Sequence, residues 1–418
     1  MEELTRWVIF LITIIVLTRA AALLSRRLHI PTLTIQLLIG ILLGPSLLNL
    51  LGVPMVLGTW GSPSSGPLHS VLKILGEIGL IQLMFLAGLQ VDWHKLKKIL
   101  KLSFFVGTWG FVLTAVSVAI ITRVFVDRWS EALAVSAIVS ASSFGISIYY
   151  LREMKALGSR VEIVVSGAAI LSGLLAILLM IASQATNYAM IYGPSKMAIA
   201  VSWFLGKLIM FFAVAYFLTS RFIKLVARTG FEKRPRQMLI GYLLLAASLY
   251  AWGTIHFGSF AAVGVASLGG ALLGMSNLGV KERISKGFES ALISLPVGVL
   301  LVVFGMEVNF KEVGANINFL AVLFVTVVVV KIIGYWIATR KVGESSRERV
   351  LIMSGTLPQG EMGMLVAAYS FSHGLVYPQN FNVAVIVVVV LTMITPVLVK
   401  IILPAWSVQG NPMSVKRG

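Results

Sequence analysis

The chain has 418 residues, of which 58% are hydrophobic and 12% are charged, and its formal net charge is +18. Soluble domains carry about 25% charged residues, so this composition excludes a soluble enzyme, a nucleic-acid-binding protein and a disordered chain. Cysteine is absent, which excludes disulfides and thiolate metal sites. We expect an all-α polytopic membrane protein that is not an enzyme and that has no cofactor and no metal site.

Apolar stretches long enough to cross a hydrocarbon core about 30 Å thick recur along the chain. Cutting the sequence at charge clusters and turn residues predicts about thirteen spans: 7–25, 31–51, 70–92, 102–125, 131–151, 161–188, 197–219, 238–255, 259–275, 288–307, 318–339, 350–372 and 382–404. Lys and Arg cluster after the odd-numbered spans, as at 95–101, and are nearly absent from connections such as 52–69. The positive-inside rule therefore predicts a multi-pass protein of the cell (inner) membrane, with the N-terminus outside and the tail at 405–418 in the cytoplasm.

Similar segments occur twice along the chain and in the same order. LLIGILLGPSLLNL (37–50), FLAGLQVDW (85–93) and VSASSFGIS (139–147) resemble SLGGALLGMSNLGV (267–280), VFGMEVNF (303–310) and SGTLPQGEMG (354–363). Spans one to six thus correspond to spans eight to thirteen, and the span at 197–219 links them. Because a single linker span separates two six-span halves, the halves enter the membrane from opposite sides. Such inverted repeats are characteristic of secondary transporters.

Two corresponding spans are interrupted by polar and helix-breaking residues. The fifth span contains Ser140, Ser142, Ser143 and Ser147 around Gly145, and the twelfth contains Thr356, Pro358, Gln359, Gly360 and Glu361. Polar interruptions are costly in lipid, so they face protein or a water-filled cavity. Broken helices at matched positions indicate a binding site at the membrane midplane. An alternative role for the serines of the fifth span is close packing between helices.

Charged residues are rare away from the ends of the predicted spans: Arg19, Glu77, Lys207, Lys331 and Glu361. Lys331 lies in the middle of its span, where a charge costs roughly 2.5–3.5 kcal/mol on insertion scales. We therefore expect Lys331 to function in transport or to hold the functional site together. Arg19 and Glu77 are interpreted as structural or vestibule residues, and Lys207 as a residue that extends towards the interface.

The ordered set of segments resembles the monovalent cation:proton antiporter superfamily, in the branch of sodium/proton antiporters and potassium efflux antiporters. The matching segments are HIPTLTIQLLIGILLGPSLL (29–48), EIGLIQLMFLAGLQVD (77–92), SASSFGIS (140–147), SGAAILSGLLAIL (166–178), LPVGVLLVVFGMEVN (295–309), VVVVKIIG (327–334) and LPQGEMGMLVAA (357–368). The resemblance implies a thirteen-helix homodimer. It also implies a dimerisation part at 1–93 and 238–310, and a core transport part at 102–188 and 318–404 in which spans five and twelve cross.

The resemblance places Lys331 on the membrane lysine of electrogenic members and Glu361 on the glutamate of the twelfth-span motif, where Gln359 replaces the usual arginine. Family members carry one or two aspartates directly after a GAA-type segment, and here Ser172 and Gly173 stand in their place. Glu361 is then the only carboxylate that lies away from the ends of a core span. The predicted ion site comprises Glu361, Lys331, Ser142, Ser143, Ser172, Thr356 and Gln359.

Three functions remain open at this point, because exchange needs a group that holds either a cation or a proton and serine is not such a group. The first is monovalent cation (Na⁺/K⁺):proton antiport through Glu361 and Lys331, which would stabilise each other's charge if they lie close together. The second is transport of another solute, such as an anion bound by Lys331 and half-helix N-termini. The third is a non-transporting subunit that binds a partner in a membrane complex.

Overall fold

A computed structural model of the chain describes residues 2–28, 32–44, 46–48, 79, 83–85, 88, 93–153, 159–193, 197–228, 270, 294–306, 308–340 and 346–402. Within these ranges the regular structure is entirely helical, as predicted. The predicted spans at 70–92, 238–255 and 259–275 lie outside the described residues except at 79, 83–85, 88 and 270. Glu77 and the tail also lie outside them. The count of thirteen spans and the inverted repeats therefore stay predictions.

The described residues form twelve α-helices, which we number in chain order. They are α1 (Glu2–Leu28), α2 (Thr32–Leu43), α3 (Trp93–Phe125), α4 (Trp129–Ser140), α5 (Phe144–Glu153), α6 (Arg160–Tyr192), α7 (Met197–Arg228), α8 (Ser294–Met306), α9 (Ile317–Arg340), α10 (Ser346–Thr356), α11 (Gly360–Ser372) and α12 (Pro378–Ile402). A 3₁₀ helix, Phe310–Asn316, precedes α9.

Stretches long and apolar enough to cross a bilayer agree with five of the predicted spans. They are Ile99–Phe125, Trp129–Ile148, Arg160–Tyr192, Ile317–Arg340 and Pro378–Val397, among the residues that the structure describes. Each has at least the roughly 20 residues that a helix needs to cross the hydrocarbon core. The second stretch contains a break. The prediction of a polytopic helical membrane protein is therefore confirmed.

Helix α4 is the innermost helix of the described structure. It packs against α3, α6 and α11, and 94% of the residues in the most apolar window of the Trp129–Ile148 stretch are buried. Small residues such as Ala132, Ala134 and Ala137 allow its neighbours to approach closely, since all three are fully buried. The break after α4 is consequently enclosed by protein.

Helix α9 has one buried face and one face that is exposed on the surface of the chain. Phe319, Leu323, Val327, Lys331 and Tyr335 recur every four residues and are buried. The residues between them, such as Val325, Val329, Ile332 and Trp336, are exposed large hydrophobics suited to lipid. Lys331 lies on the buried face of α9, so its side chain points into the protein and not towards lipid.

Helices α2 and α8 cross with their backbones in contact. A Cβ atom on Gly40 would lie 2.1 Å from the carbonyl oxygen of Val302, and one on Gly305 would lie 2.2 Å from that of Leu37. The glycines of the repeat segment LLIGILLGPSLLNL (37–50) thus permit close approach within one chain. The matching segment, SLGGALLGMSNLGV (267–280), lies outside the described residues except at Gly270, and the dimer interface stays a prediction.

Candidate functional site

The predicted fifth and twelfth spans are each interrupted by a short non-helical stretch, and the two stretches cross. The first stretch is 141–143, between α4 and α5, and the second is 357–359, between α10 and α11. The backbone N–H of Ser143 donates to the carbonyl oxygen of Pro358 at 2.8 Å, which joins the two stretches directly. The crossing brings four half-helix ends together: the C-termini of α4 and α10, and the N-termini of α5 and α11.

Local chemistry explains where each helix breaks. Pro358 lacks a backbone N–H and disfavours helical geometry in the residue before it, so α10 ends at Thr356. Gly360 has a positive φ of 35°, which glycine adopts without a steric penalty, and α11 begins there. In the other break, the Ser143 hydroxyl accepts the N–H of Ile146 at 3.0 Å, so Ser143 is the N-cap of α5.

Glu361 lies at the N-terminus of α5. Its carboxylate is fully buried and accepts hydrogen bonds from the Ser143 hydroxyl, from the N–H of Gly145 at 2.6 Å and from the N–H of Ile146 at 3.3 Å. The first N–H groups of a helix have no partner within the helix, and the helix dipole favours a negative charge there. The carboxylate of Glu361, a residue at the start of α11, therefore links α11 to the N-terminus of α5 beside the crossing.

Lys331 lies at the opposite end of the same break. Its ammonium is fully buried, and Nζ donates to the carbonyl oxygen of Ala141 at 2.9 Å. Ala141 follows the last residue of α4, where free carbonyl oxygens and the helix dipole favour a cation. Within the described part of the chain Lys331 has no ion pair with a carboxylate, Glu361 included. The two charges are separated by the break instead of forming a direct pair.

Three neutral oxygen atoms meet at the C-terminus of α10. The carbonyl oxygen of Thr356 accepts the Ser142 hydroxyl at 2.7 Å and the Tyr335 hydroxyl at 3.1 Å, and the two hydroxyl oxygens are 2.8 Å apart. We call these three atoms the oxygen triangle. The hydroxyl of Thr356 donates back to the carbonyl of Ile352 at 2.7 Å, so Thr356 takes part through its backbone.

Ser172, on α6, lies beside the first break. Its hydroxyl oxygen accepts the N–H of Ser142 at 3.2 Å and donates to the carbonyl of Ala169 at 3.0 Å. A Cβ on the neighbouring Gly173 would lie 3.0 Å from the methyl carbon of Met362. No group of three His, Asp or Glu side chains is close enough to bind a metal ion among the described residues.

Among the residues that the structure describes, no hydrogen-bond partner reaches the buried side-chain oxygens of Gln359 and Ser140. The amide nitrogen of Gln359 donates to the carbonyl of Val139, near the end of α4. The C-terminus of α4 thus carries one ammonium, Lys331, one amide donor and two unpartnered oxygen atoms.

The structure brings the seven predicted site residues to the two breaks and adds Tyr335. The sequence offered one signal for Tyr335, because it lies one helical turn after Lys331 on the same face of α9. Its ring packs on Gly110 of α3, where a Cβ would lie 1.9 Å from Cε1 of Tyr335. Among the other ionisable residues singled out, Arg19 is exposed on α1, and the side chain of Lys207 lies outside the described part.

Comparison with known proteins places the chain among ion transporters. Residues 11–405 match the family model described as the sodium/hydrogen exchanger, transmembrane. The chain is 27% identical to the Na(+)/H(+)-K(+) antiporter GerN of Bacillus cereus, over 94% of this chain and 95% of that protein. It is 24% identical to the probable Na(+)/H(+) antiporter GerT of Bacillus cereus, over 93% of this chain and 97% of that protein. The sodium proton antiporter MjNhaP1 from Methanocaldococcus jannaschii superimposes with a TM-score of 0.67 at 16% identity, over 95% of each chain, which shows the same fold.

Proposed function

We propose that this chain, which belongs to the sodium/hydrogen exchanger family, is a secondary transporter that exchanges a monovalent cation for a proton through Lys331. One observation carries the proposal: the Lys331 ammonium donates to Ala141 at a half-helix C-terminus, buried and without a carboxylate partner among the described residues. A bound cation would favour the same carbonyl oxygen for the same electrostatic reason. The names of the relatives, which are sodium, potassium and proton antiporters, support the choice of ions.

Competition for one position gives a simple exchange reaction. When a cation takes the place of the ammonium at Ala141, Lys331 releases one proton and becomes a neutral amine. When the amine takes up a proton again, the cation leaves. The site carries one positive charge in both states, which avoids placing two positive charges together at low dielectric. We therefore propose an exchange of one cation for one proton.

Glu361 has a different role in this scheme. Its carboxylate already accepts three hydrogen bonds at the N-terminus of α5, and taking up a proton or a cation would weaken them. We propose that Glu361 stays ionised and holds the two broken helices together. An anion would bind at the free N–H groups of a half-helix N-terminus. Glu361 occupies that position on α5, and the N–H of Gly360, the first residue of α11, donates to the Thr392 hydroxyl. These contacts argue against the anion-transport alternative.

The arrangement of the protein in the membrane is also a proposal. We propose a homodimer in the cell (inner) membrane with a cytoplasmic C-terminus, a dimerisation part at 1–93 and 238–310, and a core part at 102–188 and 318–404. Two polar contacts join these two parts. Thr34 of α2 donates to the carbonyl of Met393 at 3.0 Å, and the Asn382 amide donates to the carbonyl of Asn309 at 2.7 Å.

Flux measurements in proteoliposomes test the proposed function. A pH-sensitive dye inside the vesicles should report proton movement when sodium or potassium is added outside, and no movement when chloride is varied at constant cation. Lys331→Met should abolish this movement, because methionine has no exchangeable proton. Lys101→Met, which removes an exposed lysine on α3, is the matched control and should keep it. Exchange that survives in folded Lys331→Met would refute the role of Lys331, and flux that follows chloride would favour the anion alternative.

A further inference from the structure

We propose that Tyr335 is a specificity-determining residue of the ion site, and that it makes the site select potassium-sized cations over sodium-sized ones. The inference rests on the proposed exchange at Ala141 and names the cation that the exchange uses. Helix α9 sends one side chain to each of the two half-helix C-termini. Lys331 contacts the end of α4, and Tyr335, one turn further on, contacts the end of α10.

The oxygen triangle lies next to the position where a cation would replace the ammonium. Ala141, whose carbonyl binds Lys331, is followed directly by Ser142, whose hydroxyl is one corner of the triangle. A cation held at Ala141 therefore finds its further ligands in the Ser142 hydroxyl, the Tyr335 hydroxyl and the Thr356 carbonyl. All of these ligands are neutral oxygen atoms.

Neutral oxygens favour the larger cation. Entry into the site requires an ion to exchange its hydration shell for protein ligands, as in filters built from carbonyl oxygens. The cost of desolvation rises as the ion becomes smaller, and a carboxylate repays this cost much better than a hydroxyl does. Ser172 and Gly173 supply no carboxylate beside the triangle, so a sodium-sized ion loses more than a potassium-sized ion on entry.

Tyr335 fixes the spacing of these ligands. Its side chain is among the largest that are fully buried, and its ring lies against Gly110, where even a Cβ atom would approach to 1.9 Å. The hydroxyl is therefore carried on a rigid ring that cannot turn away, whereas the serine hydroxyl can rotate. A rigid ligand penalises an ion that would need to draw the oxygens inward.

The test compares potassium and sodium in the same proteoliposomes, with choline to keep the ionic strength constant. Wild-type protein should move protons at least about tenfold better with potassium than with sodium, a factor equivalent to ~1.4 kcal/mol. Tyr335→Phe keeps the ring on Gly110 but removes the hydroxyl, and its potassium-to-sodium ratio should fall to near one. Tyr369→Phe is the matched control, because it removes a tyrosine hydroxyl that donates to Gln184 elsewhere, and its ratio should stay that of the wild type.

A second variant tests whether a carboxylate near the ion site reverses the cation preference. Ser172→Asp places a carboxylate beside the N–H of Ser142 and should shift the preference towards sodium. Equal or better exchange with sodium in the wild type would overturn the inference. So would a Tyr335→Phe ratio equal to those of the wild type and Tyr369→Phe, because Tyr335 would then contribute nothing to selectivity.

Thermal unfolding in detergent separates the two proposals, since it detects binding without transport. Potassium chloride should raise the unfolding temperature of the wild type above its value in sodium chloride or choline chloride, and this difference should vanish in Tyr335→Phe. If no cation moves protons but this pattern holds, antiport is refuted and the ion site is retained. If no cation moves protons and none stabilises the protein, both proposals fail.

Discussion

The substitution Glu361→Gln tests whether Glu361 is a structural anion or the group that carries the transported proton. The wild-type carboxylate accepts hydrogen bonds from Ser143, Gly145 and Ile146, and it has no positively charged partner within the described residues. In the variant, the amide oxygen keeps the bond to Gly145, and the amide nitrogen faces the N–H of Ile146. The hydrogen bond from the N–H of Ile146 to the side chain at position 361 is therefore lost, although Ile146 still donates to the Ser143 hydroxyl at 3.0 Å. The helix N-terminus also loses its negative charge.

The size of the effect follows from these changes. Hydrogen bonds to charged groups contribute about 1.5–3 kcal/mol each and neutral ones about 0.5–1.5 kcal/mol. The interaction of an anion with a helix N-terminus contributes about 0.3–2 kcal/mol more. The gross loss is about 3 kcal/mol, and part of it is offset because the variant no longer buries an ion. We expect the free energy of unfolding to fall by about 1–3 kcal/mol.

Two measurements on the same preparation test this reasoning. Unfolding by SDS in mixed micelles gives the change in stability, and the dye assay in proteoliposomes gives the exchange. Because Lys331 is the proposed exchanging group, Glu361→Gln should keep cation-dependent proton movement even though the protein is less stable. Complete loss of exchange in a variant that remains folded would mean that Glu361 carries the proton. An unchanged stability would mean that its three hydrogen bonds contribute nothing net.

Three further substitutions test the packing that positions the site. Gly40→Ala should lower the free energy of unfolding by about 1–3 kcal/mol, because its Cβ would lie 2.1 Å from the backbone carbonyl of Val302; an unchanged SDS midpoint would contradict this. Gly110→Ala should lower the potassium-to-sodium ratio as Tyr335→Phe does, since it displaces the ring; a wild-type ratio would show that the ring is not fixed. Glu131→Gln should lower the free energy of unfolding by about 1–2 kcal/mol, because it weakens the hydrogen bond that the buried Glu131 carboxylate accepts from the N–H of Tyr377. It should keep exchange, because Glu131 lies roughly 14 Å along α4 from the break. Loss of flux in the folded variant would contradict that separation.

The sequence predicted the broken helices for reasons that act locally. Pro358 lacks the backbone N–H that a helix interior needs and Gly360 adopts a positive φ, and the twelfth span is broken between α10 and α11 at these residues. The burial of Lys331 also followed from the sequence, because a charge in the middle of an apolar span must face protein or water. Such predictions depend on each residue and its immediate neighbours, so no knowledge of tertiary packing was needed.

The partners of the charged residues could not be predicted in the same way. Whether Lys331 meets Glu361 or a half-helix end depends on how α9 is positioned along the break, and that position depends on packing with α3, including the contact between Tyr335 and Gly110. A tyrosine near the end of a span is usually read as an interfacial aromatic residue. Nothing in the local sequence of Tyr335 separates that role from a position beside Thr356, so its place in the site required the structure.

The proposed one-for-one exchange has a thermodynamic consequence. Each unit of net charge moved across the membrane changes the driving force by about 2.3 kcal/mol per 100 mV, so an exchanger that moves one net charge per cycle responds to the membrane potential. A cation exchanged for one proton from Lys331 moves no net charge, and only the two concentration gradients set its direction. Currents on a solid-supported membrane should therefore stay at background while the dye assay reports proton movement. A steady transport current in the wild type would show that a second group, with Glu361 the nearest candidate, carries another proton. Ser172→Asp adds such a group beside Ser142 and should make a current appear.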